Sequence, residues 1–376
     1  MSLFRLTVPA RINILGNPSD GNEGDFATLT AAVELRAGVL ARRAPAGHYQ
    51  FDWLAAESGP VQESVTLNTL NEMPPTRFFL QAASLAQLWQ HSPEWQQKVS
   101  HHGFQLSFWT DVPRQSGLGG SSLLVMLTLA AMRTLYGLSP RQHHDYLLAE
   151  LTQRTEELGL GIACGYADRY APLLGGLAYL DYRGKLIHQP LGEEPLVTYE
   201  RLDQYAPAVP LVICTSGIQH DSGDVHGRMR PRYLEEHAGW EQTGGPPPPM
   251  VRFMQSAWET AWRGKYALLT HDWPTFGQLM NRNHAIVDEM MNYCGFSDGA
   301  GWANNHLIQS ALALGALGAK LTGAGGGGSV FALVPPEQQA EFLTGWRQVA
   351  AEAGLGEARF FVPELAQKGL IVEQVS

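Results

Sequence analysis

The chain has 376 residues, 44% of them hydrophobic and 16% charged, with a formal net charge of −10. This length favours two domains, and the composition is typical of a globular protein with a buried core. The negative charge argues against nucleic acid or an anionic membrane as the main partner. Cys164, Cys214 and Cys294 are far apart, so neither a disulfide framework nor a CxxC metal site is expected. We find no signal peptide and no membrane-spanning run, and we expect a cytoplasmic protein.

Hydrophobic periodicity predicts the elements of the first half in chain order. They are strands over 3–12 and 28–43, a helix over 77–95, a strand over 104–113, helices over 121–136 and 141–158, a hairpin over 176–191 that turns at Arg183–Gly184, and a buried strand over 209–217. The buried strand at 209–217 is predicted to begin a second domain, so we divide the chain into residues 1–200 and 201–376.

The second half is predicted to be richer in helices. They span 251–269, 273–294 and 302–317, and are followed by a strand, glycine loop and strand over 319–334 and by a helix over 336–354. The segment 218–255 contains GGPPPPM (244–250), which is expected to be an irregular surface loop. The mixture of hairpins and helices indicates an α+β fold rather than a repeated βα pattern.

Two glycine-rich segments, 117–122 and 323–328, are candidate phosphate-binding loops. Neither carries the lysine of a GxxxxGK[ST] P-loop. Gly323, Gly325 and Gly328 match GxGxxG, but a strand-like run follows them where a dinucleotide-binding turn requires a helix. The first segment stands between a predicted strand and a predicted helix, so its backbone N–H groups would favour an anion at a helix N-terminus. By itself, this stretch favours the alternative of a helix that is merely capped.

Three segments together resemble the motifs of a known family. VPARINILGNPSDGNEG (8–24), PRQSGLGGSS (113–122) and KLTGAGGGGS (320–329) are similar in order and spacing to the motifs of the GHMP kinases, which include galactokinase, homoserine kinase, mevalonate kinase and phosphomevalonate kinase. The similarity is greatest to the glucuronokinase members. It implies a two-domain α+β fold, with a ribosomal S5-like ATP-binding domain over 1–200 and a ferredoxin-like domain over 201–376.

The resemblance implies an ATP- and Mg²⁺-dependent kinase, and it assigns roles to residues. Asp168 would be the catalytic base, and Arg11 would pair with it and stabilise the transferring phosphoryl group. The residues expected to bind ATP are Pro113, Gly117, Leu118, Gly119, Gly120, Ser121 and Ser122 in the first loop and Gly323, Gly325 and Gly326 in the second. Ser122 and Glu157 would hold Mg²⁺, with Glu156 as the alternative to Glu157.

The acceptor is expected to contact Asn17 and Asp20 of the first motif, although an aspartate before glycine is also ordinary turn chemistry. Arg228, Arg230 and Arg232 are clustered in an acidic protein, and Arg230 is the candidate partner of a uronate carboxylate. The alternative is that these charges are solvated in a loop.

We therefore expect a kinase that phosphorylates a hydroxyl of a sugar or sugar acid, with glucuronate first and an anomeric 1-phosphate as product. Another monosaccharide or a small alcohol, such as galactose or mevalonate, is an alternative acceptor. A non-catalytic sugar- or nucleotide-binding protein of the same fold and an oxidoreductase using the loop at 323–328 are the competing functions. The expected partner is a small molecule, with neither nucleic acid nor membrane.

Overall fold

The computed structural model describes residues 2–54, 61–66, 76–186, 189–218, 222–323 and 325–375. The strands found there are β1 (Leu3–Leu15), β2 (Ala27–Ala44), β3 (Tyr49–Trp53), β4 (Val61–Val65), β5 (Gly103–Thr110), β6 (Leu177–Asp181), β7 (Thr198–Arg201), β8 (Leu211–Thr215), β9 (Gly318–Thr322), β10 (Ser329–Leu333), β11 (Arg359–Phe361) and β12 (Ile371–Gln374). The helices are α1 (Phe79–His91), α2 (Pro93–Val99), α3 (Gly120–Tyr136), α4 (Asp145–Arg154), α5 (Ala167–Leu174), α6 (Ser222–Thr243), α7 (Pro249–Leu269), α8 (Trp273–Tyr293), α9 (Trp302–Ala313) and α10 (Gln339–Glu352).

The strands form two sheets. The larger sheet has the order β12-β1-β2-β5-β3-β4, and β6 joins it by pairing with the first part of β2 and with β7. The smaller sheet is antiparallel throughout, in the order β11-β8-β10-β9. Helices α9 and α10 pack on the smaller sheet through a separate apolar cluster that includes Trp346. The two sheets with their helices confirm the α+β prediction.

Strand β1 shows how the sequence pattern builds the site. Leu6, Val8, Ala10 and Ile12 alternate along it, and their side chains are fully buried in the main core. The intervening positions therefore point to the opposite face of the sheet. That face carries Arg11 and Asn13, which are also buried, so polar groups are enclosed beside the strand rather than exposed to water.

Two predictions of local structure need correction. The hairpin expected over 176–191 is not closed at Arg183–Gly184, because β6 pairs with β7 at residues 198–201; residues 187 and 188 lie outside the described ones. The predicted loop around GGPPPPM (244–250) is shorter than expected. Helix α6 runs up to Thr243 and α7 begins at Pro249, where a proline is tolerated because the first turn needs no N–H donor.

The end of the chain returns to the first sheet. Strand β12 pairs with β1, so the larger sheet contains residues from both ends of the sequence. The division at residue 200 stays a prediction, and these last residues belong to the sheet of the first half. Over the described part of the chain, no helix combines the length and apolar character needed to cross a membrane. The cytoplasmic location stays a prediction.

Candidate active site

The first glycine loop joins β5 to α3 and lies directly against the second. Gly119 precedes the helix with a φ of 87°, and no side chain caps the first turn, so its backbone N–H groups are not satisfied by a capping side chain. Gly117 has a φ of +71°, and a Cβ there would lie 2.7 Å from the carbonyl oxygen of Thr322 at the end of β9. A Cβ on Gly323 would lie 3.0 Å from the Cα of Gly117. Glycine is required at these positions because the two backbones touch.

The other loop residues have less uniform roles. Leu118 is fully buried, and its carbonyl accepts a hydrogen bond from the N–H of Arg11, while Pro113 is half-buried at the start of the loop. In the second loop, the N–H of Gly326 is already bonded to Ala300, and a Cβ on Gly325 would lie 2.6 Å from the sulfur of Met291. The backbone amides at the start of α3, including those of Gly120 and Ser121, thus remain the better candidates for contacting phosphates.

Two serines of the first helical turn share one carboxylate. Ser121 Oγ donates to Glu156 Oε1 and Ser122 Oγ donates to Glu156 Oε2, both at 2.7 Å. Arg169 also binds Glu156 Oε2. Glu156 lies in a single turn of π-helix, Thr155–Gly159, that continues from α4. Of the two glutamates considered as Mg²⁺ ligands beside Ser122, Glu156 is the one that contacts Ser122, and the choice of metal ligand stays a prediction.

Arg11 and Asp168 form a nearly buried ion pair beside the first loop. Arg11 Nε donates to Asp168 Oδ1 at 2.6 Å, Arg11 Nη2 contacts Asp168 Oδ2, and Nη1 donates to the carbonyl of Gly117. The side chain of Arg11 is 2% exposed, whereas that of Asp168 keeps 24% of its exposure. Burial alone would raise the pKa of Asp168, but the charges of Arg11 and Arg169 hold that pKa well below its ordinary value. Asp168 is therefore an anion that retains an open edge.

Asp20 lies next to this pair in a short 3₁₀ turn, Ser19–Gly21. Its Oδ2 accepts the N–H of Ala167 at 3.0 Å, at the start of the helix that carries Asp168. Burial raises the pKa of Asp20, and the negative charge of Asp168 raises it further. Asp20 and Asp168 are thus neighbouring carboxylates whose pKa values are shifted in opposite directions.

Arg230 and Glu157 are engaged with each other rather than with an open site. Arg230 Nη1 binds Glu157 Oε1 at 2.6 Å, Nε binds the carbonyl of Gly21 at 2.7 Å and Nη2 binds the carbonyl of Cys164 at 2.6 Å. All three nitrogens have protein partners, and the arginine is 6% exposed. Arg230 thus ties α6 to the turn that carries Asp20, and its contact with a substrate carboxylate stays a prediction.

Asn17 is likewise held within the protein. Its Nδ2 donates to the carbonyl of Gly323 at 3.3 Å, and its Oδ1 accepts from Lys320 Nζ at 2.7 Å. With 2% exposure, Asn17 connects the first motif to the second glycine loop, and its contact with the acceptor stays a prediction.

Sequence reasoning missed the residues that hold the three motifs together. Lys320 is fully buried and donates to the carbonyls of Asn13 and Leu321 as well as to Asn17, which matches the three hydrogens of an ammonium group. Desolvation lowers its pKa well below the ordinary value. Asn283 of α8 accepts from the N–H of Gly16 and donates to the carbonyl of Asn17, both at 2.9 Å. A lysine inside an otherwise apolar strand pattern was the available signal for Lys320.

The donor chemistry near Ser122 suits a hard cation. Within the described ranges, no three His, Cys, Asp or Glu side chains converge to form a metal cage. Mg²⁺ does not require one, since it is held by one or two protein oxygens together with phosphates and water. The adjoining hydroxyl of Ser122 and carboxylate of Glu156 provide such oxygens, so the residues present fit the ion.

The chain is similar to known proteins over most of its length. Residues 80–176 match the family described as GHMP kinases N terminal domain, and residues 303–351 match GHMP kinases C terminal. The chain is 26% identical over 278 residues to mevalonate kinase of Pyrococcus furiosus, covering 73% of this chain and 70% of that protein. It is 28% identical over 342 residues to glucuronokinase 1 of Arabidopsis thaliana, covering 88% and 85%.

The fold is also similar to that of a solved structure. The crystal structure of Lactococcus lactis galactokinase complexed with galactose superposes with a TM-score of 0.75 at 19% identity, covering 99% of this chain and 95% of that one.

Proposed function

Since the chain belongs to the GHMP kinase family, whose members are phosphotransferases acting on hydroxyl groups, we propose that it transfers the terminal phosphoryl group of ATP to a hydroxyl of a sugar or sugar acid. The observation that carries the proposal is the contact of Arg11 with both Asp168 and the carbonyl of Gly117, because it joins a carboxylate to the phosphate loop. As a phosphotransferase, the chain is neither the non-catalytic protein nor the oxidoreductase considered above.

On the donor side, the first turn of α3 binds the phosphates of ATP. Its uncapped N–H groups and the positive end of the helix dipole favour an anion. These groups take the place of the lysine of a P-loop. Ser122 and Glu156 would hold Mg²⁺, which, when bound, neutralises negative charge on the phosphates. Arg169 balances the charge of Glu156 and keeps its carboxylate in place against Ser122.

On the acceptor side, the open edge of Asp168 accepts the hydrogen bond of the reacting hydroxyl. The hydroxyl oxygen forms a bond to the γ-phosphorus, the bond from that phosphorus to the β–γ bridging oxygen breaks, and ADP leaves with the electron pair. The hydroxyl proton passes to an Asp168 oxygen. Because the pKa of Asp168 is low, it first orients the hydroxyl and receives the proton only as the new bond forms. Arg11, in contact with Asp168, supplies positive charge close to the transferring group.

Glucuronate is the proposed acceptor, phosphorylated at its anomeric hydroxyl. The proposal rests on the similarity to glucuronokinase 1, which extends over 342 residues. Asp20, adjacent to Asp168 and held by Ala167, is proposed to accept hydrogen bonds from further hydroxyls of the sugar. Mevalonate is the second candidate, because mevalonate kinase of Pyrococcus furiosus is similar over 278 residues.

The test is the release of ADP from Mg·ATP by the purified protein in the presence of individual acceptors. The panel contains glucuronate, galacturonate, galactose, glucose and mevalonate, and the phosphorus NMR spectrum of each product distinguishes an anomeric phosphate from a phosphate on another hydroxyl. We expect glucuronate to give the largest kcat/KM. If no acceptor in a broad panel raises ADP formation above the rate with ATP alone, the proposed function is wrong.

A further inference from the structure

His226 of α6 lies against the turn that carries Asp20. A Cβ placed on Gly21 would be 2.8 Å from His226 Nδ1 and 2.9 Å from its Cε1, so the imidazole touches the backbone next to Asp20. Arg230, one helical turn further along α6, binds the carbonyl of the same Gly21. The face of α6 that carries His226 and Arg230 therefore packs on the acceptor side of the candidate site.

The imidazole has unused hydrogen-bonding capacity. Nδ1 is buried without a hydrogen-bond partner among the described residues, whereas the side chain as a whole is only half-buried. His143 shows what a purely structural histidine looks like in this chain: its Nδ1 contacts the carbonyl of Ser139 at 3.1 Å and its Nε2 contacts Ser92 Oγ at 2.8 Å. Nδ1 of His226 lacks such a partner within the described part of the chain, and an unsatisfied buried polar atom is costly to the fold.

The electrical environment keeps this imidazole neutral. Burial, together with the positive charges of Arg230 and Arg169, lowers the pKa of His226 to about 4, against the opposing charges of Asp168 and Glu157. At neutral pH, the ring consequently has one N–H donor and one nitrogen acceptor. Such a group recognises a hydroxyl, which both donates and accepts, better than it recognises an anion.

We propose that His226 binds the acceptor by hydrogen bonding to a hydroxyl other than the one that is phosphorylated, and that it thereby selects among polyhydroxylated acceptors. The inference rests on the proposed function and deepens it, since it concerns the same site. Asp168 orients the reacting hydroxyl, Asp20 approaches the acceptor from the 3₁₀ turn, and His226 approaches from α6. The sequence motifs did not single out His226, although its spacing of four from Arg230 places both on one helical face.

The experiment compares His226→Leu and His226→Gln with His237→Gln, a control on the same helix whose ring lies 3.6 Å from Glu241 instead. Steady-state kinetics are measured for ATP and for an acceptor that the wild-type protein phosphorylates. His226→Leu should raise the acceptor KM by about 5- to 100-fold, the range for losing one hydrogen bond at a desolvated site. The KM for ATP should change less than about twofold, and His226→Gln should recover part of the loss.

A series of deoxy acceptors then identifies the contact. The wild-type protein should discriminate against the analogue that lacks the hydroxyl bound by His226, and this discrimination should disappear in His226→Leu, as in a double-mutant cycle. If the leucine variant does not fold, the glutamine variant is taken through the same series. An unchanged acceptor KM, a parallel rise in the KM for ATP, or discrimination retained for every deoxy analogue overturns the inference. A wild-type protein that phosphorylates no acceptor contradicts the proposed function itself, which is a distinct result.

Discussion

The substitution Asp168→Asn tests both the chemistry and the electrostatics of the candidate site. Asparagine keeps an oxygen that can accept from Arg11 Nε but loses the negative charge and the ability to receive a proton. We expect kcat to fall by about 10²- to 10⁴-fold, the range for a group that takes a proton in the transition state. At about 1.36 kcal/mol for each tenfold change, this corresponds to about 2.7–5.4 kcal/mol of transition-state stabilisation.

The same substitution should destabilise the fold. The side chain of Arg11 is 2% exposed, and it contacts the carboxylate of Asp168. Removing one member of a buried pair costs about 3–5 kcal/mol, and this is an upper bound here because Asp168 retains 24% of its exposure and Gly117 still accepts from Arg11.

Asp20→Asn is the matched control, since it is the same chemical change at the neighbouring carboxylate. Burial and the charge of Asp168 raise the pKa of Asp20, so its ionised form opposes folding at neutral pH. Asp20→Asn should therefore raise the melting temperature, while Asp168→Asn lowers it. Because Asp20 is proposed to bind the acceptor, its substitution should raise the acceptor KM.

The assay combines thermal unfolding at pH 7, calorimetric titration with ATP and steady-state kinetics. Binding of ATP should persist in Asp168→Asn, because the backbone of the first loop is unchanged. Near-normal kcat in Asp168→Asn would refute the role of this residue in activating the hydroxyl. A shift of the melting temperature in the same direction for both variants would refute the electrostatic reasoning.

Three further predictions concern the metal, the loop and pH. Glu156→Gln should raise the Mg²⁺ concentration for half-maximal activity by about 10- to 100-fold, whereas Glu157→Gln should leave it unchanged. If a Mg²⁺ titration gives the same shift for both variants, the assignment of Glu156 as the metal ligand is wrong. Gly117→Ala should raise the KM for ATP more than Gly137→Ala does. Both glycines have positive φ, but of the two only Gly117 would place a new Cβ 2.7 Å from a carbonyl oxygen. An equal KM for ATP in the two variants would exclude crowding at Gly117 as the cause. The lowered pKa of Asp168 adds stability that is fully present above its unfolded pKa of about 3.9 and is lost as pH falls further. The unfolding free energies of wild type and Asp168→Asn should therefore converge in acid. A constant difference between them down to pH 2 would be evidence against this reasoning.

The sequence was informative where backbone geometry dictates residue type. The glycines at 117, 119 and 323 are read from the chain because left-handed φ and close backbone approach admit little else. The apolar pattern of residues 3–12 likewise predicted the strand that became β1, which carries Arg11. These are local requirements, so a single chain displays them without any knowledge of its partners.

The choice of partner was decided only by the tertiary structure. Glu156 and Glu157 are neighbours, and the π-helical turn at 155–159 directs one to Ser122 and the other to Arg230, which is 73 positions away in the sequence. Arg230 resembled a ligand for an acidic substrate in the sequence, and the fold instead occupies it with Glu157 and two carbonyls. The pairing of charged side chains depends on contacts between segments that are distant in the sequence. The motifs therefore predicted the chemistry of the site, and the packing of these segments determined the partner of each charged residue.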